Sequence, residues 1–568
     1  MIDEARLLNG PEDRRRALLL LLLMGLVLFG AGLGLRDPWP ADEPRFALVA
    51  RQMVDSGQWL FPMRGGELYP DKPPIFMWAI ALCYKLVGSL RVAFLLPSLM
   101  AGLGTVALAW DAAWRLWDGA TAWRAGLLLL LTVQFTLQAR TAQIDALVTF
   151  FITLGVYGFL RFLLMGGGWG WYFLGWFAAG LGVITKGVGI LALFVLIPAL
   201  WSHRAELRAA SWKAWVKGFA GPLALLAAIG LWLVPMWLAV ERSGDPAFAA
   251  YRDNILFRQT VTRYAEAWHH HAPWWDYLVN VIPGFWLPLS LLLPWLAPRW
   301  IRVIREGDRR ILLLLGYLVL VLVFFSASSG KRGVYITPAT PALALLAAPF
   351  LPGLLASKGP RRAWSFLAWG LAAITVLACL ALVASPRLQA KLAAQDLAHP
   401  WWGLAPLAVA AVATAWVFRR MPLAALAGIF AAAWLALGFG VNPQLNEGRT
   451  PETLLRRAEA QVPAEHGLLI LAYKEQFLLH ARRPVHHLPL RMPKAQQAAL
   501  AAAWQGSVPD RWVLAPDRTL DGFFRRENAA DLGVRHRERW WLLPPGSALP
   551  PSQPPEGPLY RFAPKVQE

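Results

Sequence analysis

Apolar segments long enough to cross a lipid bilayer recur along this chain from Leu18 to Val441. The chain has 568 residues, of which 57% are hydrophobic, and its mean hydropathy is +0.43. Few soluble domains combine this length with this apolarity. Because about 20 apolar residues span the hydrocarbon core as a helix, the sequence predicts a polytopic α-helical membrane protein.

Counting the runs of spanning length predicts about thirteen transmembrane helices. A shorter apolar run at 74–88 directly follows a charged cluster, which favours an amphipathic helix lying along the membrane interface. The predicted spans are 17–35, 90–112, 121–138, 143–165, 170–186, 187–202, 216–240, 278–298, 311–327, 334–354, 365–385, 402–418 and 421–441.

Basic residues are concentrated in alternate predicted loops, which orients the chain by the positive-inside rule. With a cytoplasmic N-terminus carrying Arg14 to Arg16, the other inside loops contain Arg115 with Arg124, Arg161, 203–217, 299–310, 358–362 and 419–420. The same distribution explains the net charge of +20 without a nucleic-acid partner. The outside segments are then 36–73, 139–142, Lys186, 241–277, 328–333, 386–401 and everything after 442.

The composition changes after Val441 and becomes polar and Pro-rich. Short strand-like runs at 468–472 and 512–515 alternate with helix-like stretches at 450–461 and 494–504, which is typical of a small α/β domain. We therefore predict a membrane domain at 1–441 and an outer soluble α/β domain at 442–568 with an irregular Pro-rich tail.

Ionisable residues gather on the predicted outer face, above all in the first outer loop, 36–89. Adjacent carboxylates with Arg and Lys nearby are costly at a membrane and are not needed to cross it. We therefore interpret this cluster as a polar site. Groups at several separate helix ends on one face are expected to converge on one cavity. They are Asp42, Glu43, Arg45, Asp71, Lys72, Arg140, Asp145, Lys186, Glu266, His269, His270, His271, Lys331, Arg332 and Tyr335.

These residue types suit phosphate chemistry at headgroup depth. Several cations favour a bound phosphate or pyrophosphate, and the carboxylates beside them suit a general base or a group that binds hydroxyls and amines. The sequence has neither a Walker A loop nor a Gly-rich turn after a strand, so we expect no nucleotide. A lipid-linked phosphate donor would fit both the outer face and the cations.

The order of these motifs resembles that of the bacterial aminoarabinose transferases, membrane glycosyltransferases of the GT-C fold that modify lipid A and are related to protein mannosyltransferases. Asp42-Glu43-Pro44-Arg45-Phe46 is similar to the family motif Asp-Glu-x-Arg-Tyr, and Asp71-Lys72-Pro73-Pro74 to Glu-Lys-Pro-Pro. Similar landmarks are Arg140 to Asp145, Thr185-Lys186-Gly187, His271 before Pro273-Trp274-Trp275, and Ser329-Gly330-Lys331 with Tyr335. Phe46 and Asp71 depart from the pattern.

The resemblance implies transfer of a sugar, 4-amino-4-deoxy-L-arabinose or a related one, from undecaprenyl phosphate to lipid A on the periplasmic face. It implies that Asp42 and Asp145 are catalytic, and that Arg45, Lys72 and Lys331, with Arg332 and Tyr335, hold the donor phosphate. Glu43, Arg140, Lys186 and His270 are further site candidates. A divalent metal, zinc, would be bound by Asp71 and His271. We expect a monomer in the bacterial inner membrane, with no nucleic-acid partner.

Three functions remain open from the sequence. The first is transfer to lipid A, where Asp42 would orient an acceptor that is already anionic. The second is transfer by the same fold to a protein hydroxyl or a lipopolysaccharide core sugar, where Asp42 becomes a general base. The third is transport of a lipid-linked substrate, which the lack of an internal repeat or of paired broken helices disfavours.

Structural roles compete with the functional ones at several positions. Asp42 and Glu43 would otherwise cap the next helix, and Asp145 would be an acid favoured by a helix dipole. Lys186 would snorkel to the interface, Asp71 and Lys72 would form an interfacial ion pair, and the three histidines would be a polar loop without metal.

Overall fold

The computed structural model describes residues 11–256, 271–549 and 556–564, and helices dominate it up to Gln461. The helices of the first half are Pro11–Gly30, Glu43–Ser56, Ile75–Val87, Leu90–Ala93, Leu96–Leu116, Gly119–Leu131, Val133–Ala139, Ile144–Leu164, Trp169–Lys186, Val188–Val195, Leu196–Ser202, Arg204–Arg208, Trp212–Phe219, Gly221–Ser243 and Pro246–Asp253. Those that follow are Tyr277–Val281, Ile282–Phe285, Leu289–Leu292, Leu293–Arg305, Arg309–Ala327, Gly333–Ala339, Thr340–Ala347, Ala348–Phe350, Leu351–Ala356, Lys358–Ala384, Pro386–Ala393, Trp401–Val417, Pro422–Leu435, Ala436–Val441, Asn442–Arg449 and Glu452–Gln461.

All the spans predicted from the sequence fall on helical segments. Among the described residues, seven helices are long and apolar enough to cross a membrane, and two bent pairs bring the number to nine. Several other predicted spans coincide with shorter apolar helices, Val188–Ser202 and Trp401–Val417 among them. The chain is thus mostly helical with many candidate spans, while the full count of about thirteen crossings stays a prediction.

Two predicted spans are bent rather than straight. One turns by 72° at Thr132 and the other by 112° between Phe285 and Leu289. Thr132 has an extended backbone with ψ of 113°, which no α-helix accommodates. The second bend contains Pro288, and proline lacks the N–H that would continue the helix.

The predicted inside loops meet at one end of the helical region. Arg14 and Arg115 both bind the carboxylate of Asp111, at 2.7 and 2.6 Å. Arg310 donates to the carbonyl of Leu116 at 2.8 Å. The first loop and the C-terminal region lie together at the other end, as the contacts described below show.

The C-terminal region contains a six-stranded mixed sheet. Its strands are β3 (Gly467–Ile470), β4 (Val485–His487), β5 (Arg511–Pro516), β6 (Ala530–Arg535), β7 (Glu538–Leu543) and β8 (Tyr560–Phe562), after a hairpin of β1 (Met63–Arg64) and β2 (Glu67–Leu68) in the first loop. The order is β6-β7-β5-β3-β4-β8, with β3 parallel to both β4 and β5 and the other pairs antiparallel. Helices Glu475–His480 and Lys494–Gly506, with the short turn Asp517–Thr519, complete it.

The secondary structure of this region follows the sequence prediction. The strand-like runs at 468–472 and 512–515 fall on β3 and β5, and the helix-like stretches fall on Glu452–Gln461 and Lys494–Gly506. Leu468 and Ile470 pack with helix Glu452–Gln461 on one face of the sheet. Leu469 and Val513 pack on the opposite face. This alternation is the period of a strand buried on both sides.

The first loop is an ordered layer between the helical region and the C-terminal sheet. Its helix, Glu43–Ser56, which we call the first-loop helix, buries Phe46 against Phe76 of the apolar helix Ile75–Val87, with ring centroids 5.3 Å apart. Leu48, on another face of the same helix, packs into the core of the C-terminal sheet. The loop therefore contacts both parts of the molecule.

Candidate active site

Asp42 is the residue immediately before the first-loop helix, where Pro44 is the second helical residue and suits a helix start. Its carboxylate makes no capping bond to the helix backbone. It instead accepts a bond from Arg332 Nη2 at 3.1 Å and lies 3.6 Å from Arg45 Nη1. The structure thus brings Arg332, which is 290 residues from Asp42 in the sequence, to the neighbouring predicted site residues Asp42 and Arg45.

Asp145 and Lys186 form a second part of the same site. Asp145 is in the first turn of Ile144–Leu164, and Lys186 is the last residue of Trp169–Lys186. The Lys186 ammonium donates to the Asp145 carboxylate and lies 4.5 Å from the centre of the Tyr335 ring. A cation over an aromatic face is stabilised by the ring quadrupole. Lys186 is therefore held by two predicted site residues.

Arg332 connects the two parts. Burial lowers the pKa of the Arg332 guanidinium, but Asp42, Tyr335 and Asp145 together raise this pKa above its ordinary value. An arginine flanked by two carboxylates stays charged. Arg332 therefore bonds to Asp42 and lies within the electrostatic influence of Asp145.

The C-terminal region contributes a carboxylate that the sequence analysis missed. Glu475, the first residue of its helix, accepts a bond from Arg45 Nε at 3.0 Å and lies 3.8 Å from Arg64 Nη1. Arg64 also binds Glu67 at 3.1 Å. Glu475 follows β3, and polar residues just beyond the carboxyl end of a parallel strand are a recognised position for ligand contacts. The position of Glu475 just after a strand-like run was the signal in the sequence that could have identified it.

Glu43, which is adjacent to Asp42, organises the loop backbone. Its carboxylate accepts two bonds from Arg36, at 2.5 and 2.8 Å. It also accepts from the backbone N–H groups of Trp39 and Ala142, each at 2.9 Å. A carboxylate with this many charge-assisted bonds is fixed in one orientation. Glu43 joins the first loop to the segment before Asp145.

Arg140 has a comparable role inside the helical region. Its guanidinium is buried and donates to the carbonyls of Leu28, Ala31 and Trp434. Two of these carbonyls lie at or just past the end of the first helix, where the backbone has no intrahelical partner. Arg140 was a predicted site candidate, and the structure gives it bonds to backbone carbonyls.

Lys331 is held by its own loop. Its ammonium donates to the carbonyls of Ala272 and Ser328, at 3.0 and 2.5 Å. His271 forms an isolated β-bridge with Gly330, which keeps the two segments together. Because both acceptors are neutral, neither neutralises an ammonium. The loop places a cation next to Arg332 in sequence.

The described residues leave the metal site predicted at Asp71 and His271 untested. Asp71 accepts two bonds from Arg491 of the C-terminal region, at 2.5 and 2.6 Å, and Lys72 beside it is partly buried. Residues 11–256, 271–549 and 556–564 contain no group of three or more possible metal ligands, whereas zinc takes four. His269, His270 and Glu266 lie outside the described residues. Zinc at Asp71 and His271 therefore stays a prediction, and no step below uses a metal.

The resulting arrangement alternates carboxylates and cations across the loops and the C-terminal region. Asp42 lies between two guanidiniums, and further cations come from separate segments. Guanidinium groups bind phosphate oxygens in a planar, bidentate manner. A phosphate near Asp42 would therefore meet two arginines, with a carboxylate free of capping bonds beside it.

Comparison with known proteins shows which family this chain resembles. A model of the dolichyl-phosphate-mannose-protein mannosyltransferases matches residues 71–232. The undecaprenyl phosphate-alpha-4-amino-4-deoxy-L-arabinose arabinosyl transferase of Aeromonas hydrophila subsp. hydrophila is 29% identical over 76% of this chain and 78% of its own length. The enzyme of the same name from Pseudomonas savastanoi pv. phaseolicola is 31% identical over 66% and 68%.

The chain belongs to this arabinosyl transferase family. It is a glycosyltransferase, as the sequence predicted. The crystal structure of ArnT from Cupriavidus metallidurans, bound to undecaprenyl phosphate, superposes with a TM-score of 0.71 over 94% of this chain and 99% of that one, at 20% identity. The predicted GT-C fold is confirmed. The apolar helices of this chain, together with its family, make it a multi-pass membrane protein, as predicted.

Proposed function

We propose that this protein transfers 4-amino-4-deoxy-L-arabinose, or a closely related sugar, from undecaprenyl phosphate to lipid A at the periplasmic face of the inner membrane. Membership of the arabinosyl transferase family supports the donor and the sugar. The observation that carries the proposal is Asp42, which lies between Arg45 and Arg332 without capping its own helix.

The reaction exchanges one bond at the anomeric carbon of the sugar. The acceptor oxygen forms a bond to this carbon while the bond from the carbon to the phosphate oxygen breaks and leaves its electron pair on the phosphate. Arg45, Arg332, Lys72 and Lys331 stabilise the departing phosphate. An acceptor phosphate brings its own negative charge, so Asp42 then orients it or stabilises positive charge on the sugar.

Asp145 and Tyr335 act next to this centre through their neighbours. Asp145 binds Lys186 and, with Asp42, favours the charged form of Arg332. Tyr335 lies against Lys186. Together they keep two cations at fixed positions near the donor phosphate, and preorganised charges of this kind are the main source of transition-state stabilisation in such sites.

The periplasmic side is supported by the distribution of basic residues. The inside loops predicted from the sequence meet at the end of the helices that carries Arg14, Arg115 and Arg310. Cytoplasmic loops are the ones enriched in Lys and Arg. The candidate site is at the opposite end, with the C-terminal sheet, so we place both in the periplasm.

A second candidate is transfer to a protein hydroxyl. The match of residues 71–232 to the dolichyl-phosphate-mannose-protein mannosyltransferases favours it. A hydroxyl has to lose its proton as the new bond forms, and Asp42 would accept that proton as a general base.

The test is mass spectrometry of lipid A and of total glycoprotein from cells with the wild-type gene, without the gene, and with Asp42→Asn. Asp55→Asn is the matched control, because Asp55 is an aspartate of the same helix that pairs with Arg51, at 3.5 Å. We expect a lipid A mass increment of one aminopentose that Asp42→Asn reduces by about 100-fold, the typical effect of removing one transition-state-stabilising group, and that Asp55→Asn leaves in place.

An increment on protein instead of lipid A would select the second candidate. Equal transfer by Asp42→Asn and wild type would overturn the role of Asp42. The absence of any gene-dependent glycan would overturn the transferase proposal for both acceptors.

A further inference from the structure

We propose that Glu475 of the C-terminal region is a positioning residue for the transfer reaction, and that it acts through Arg45. The inference rests on the proposed function and adds to it a contribution from outside the helical region. Glu475 is 7% exposed and binds Arg45 Nε at 3.0 Å. Arg45 in turn is the cation whose Nη1 lies 3.6 Å from Asp42.

The fold delivers Glu475 to the first loop from the carboxyl edge of the sheet. The segment after β3 leads directly into the helix Glu475–His480, and Lys474 before it is extended. In sheets with parallel central strands, ligands bind beyond this edge. In this protein the first loop lies beyond this edge, and the turn of its β1–β2 hairpin packs there.

The hairpin turn is fixed from both sides. The Gly65 N–H donates to Gln52 of the first-loop helix at 2.7 Å, and the Gly65 carbonyl accepts from His487 Nε2 at 2.5 Å. Glu67, two residues on, accepts from the backbone N–H of Leu490 at 2.7 Å. The C-terminal region therefore holds the loop next to Arg64, and Glu475 has a defined place relative to Arg45.

The consequence of this geometry is a division of Arg45 between two carboxylates. Glu475 takes the Nε side of the guanidinium and Asp42 is near the Nη1 side. A single guanidinium favours the closer and better oriented carboxylate. With Glu475 in place, Arg45 stays at a longer distance from Asp42, which leaves that carboxylate available to the acceptor.

Loss of the Glu475 charge is expected to lower the rate of the chemical step and to raise the affinity for phosphate. Arg45 is released to pair closely with Asp42, which slows the chemical step. One negative charge also disappears from the neighbourhood of a bound phosphate, which strengthens phosphate binding. A merely structural ion pair has neither signature, because its loss lowers the amount of folded protein and leaves the affinity of the folded fraction unchanged.

The test is a double-mutant cycle with Glu475→Gln, Arg45→Gln and the double variant, in the full-length protein. Glu465→Gln is the control, since Glu465 is an exposed glutamate of the same region. Two quantities are measured: the affinity for undecaprenyl phosphate, which needs no acceptor, and kcat for release of undecaprenyl phosphate from its sugar conjugate. Thermal unfolding of each variant reports the folded fraction.

We expect Glu475→Gln to lower kcat about tenfold and to bind undecaprenyl phosphate several-fold more tightly, while the double variant equals Arg45→Gln in kcat. Effects of the two substitutions on kcat that multiply, or a Glu475→Gln variant changed only in thermal unfolding, would overturn the inference. A wild-type protein that binds undecaprenyl phosphate but transfers nothing to lipid A contradicts the proposed acceptor, and the affinity of Glu475→Gln for undecaprenyl phosphate still decides the role of Glu475.

Discussion

Two adjacent carboxylates at the start of the first-loop helix have different environments. Glu43 is 6% exposed and accepts four bonds, two of them from Arg36. Among the described residues, Asp42 contacts the guanidiniums of Arg45 and Arg332. The motif in the sequence marks the two residues alike, because their difference arises from Arg36, Ala142 and Arg332, which approach only in the folded chain.

This difference predicts opposite outcomes for two amide substitutions. Glu43→Gln removes the charge from a buried ion pair and leaves Arg36 without compensation, so we expect the free energy of unfolding to fall by about 3 kcal/mol. Asp42→Asn is expected to reduce transfer with little change in thermal unfolding. Thermal unfolding of both purified variants checks this, and a larger fall for Asp42→Asn than for Glu43→Gln would contradict it.

At the scale of elements, the hairpin turn depends on a glycine. Gly65 has a φ of +66°, and a Cβ at this position would lie 2.8 Å from Leu478 Cδ1 and 2.9 Å from the His487 ring. Gly57, at the end of the first-loop helix, has a φ of +73° but no neighbour within 4 Å. Comparison of the two positions therefore separates backbone strain from contact with the C-terminal region.

We expect Gly57→Ala to destabilise the protein by about 1 kcal/mol through backbone strain alone. Gly65→Ala adds a steric clash, so it should destabilise further and also reduce transfer, because the turn that holds the first loop is displaced. Thermal unfolding and the transfer rate of both variants check the prediction. Equal effects of the two substitutions would show that the hairpin contact is unimportant.

The predicted spans were found on helices because each span is a long apolar run, which can be recognised in the sequence without knowing what it packs against. The bends at Thr132 and Pro288 were not predicted, since an apolar run counts the same whether straight or broken. The β1–β2 hairpin was missed as well, because each strand has two residues and is stabilised by contacts with His487 and Leu490.

At the scale of the whole molecule, the C-terminal region is joined to the first loop by charged and polar contacts. Arg45 binds Glu475, Asp71 binds Arg491 and Asp37 binds Asn446. The sequence predicted an outer α/β domain at 442–568. The contact between Glu475 and Arg45 favours a direct part in the site, and it could not be predicted because the two residues are separated by most of the chain.

These contacts between the C-terminal region and the first loop are expected to weaken in acid because His487 becomes protonated. Burial lowers the pKa of His487 from 6.5 to about 4, although its bonds to the carbonyls of Leu488 and Gly65 oppose this. Between these pH values the unfolded chain binds more protons than the folded one, so the free energy of unfolding falls as the pH is lowered through this window. The full effect is about 3 kcal/mol.

The measurement is thermal unfolding of the wild type and of His487→Gln between pH 7 and pH 4. Glutamine keeps a donor for the Gly65 carbonyl but does not titrate, so the variant should lose less stability on acidification. Three other histidines of the region, His480, His486 and His536, also have a pKa lowered by burial. Because they titrate in both proteins, their contribution cancels in the comparison. Parallel pH profiles for the two proteins would exclude His487 as the acid-sensitive contact.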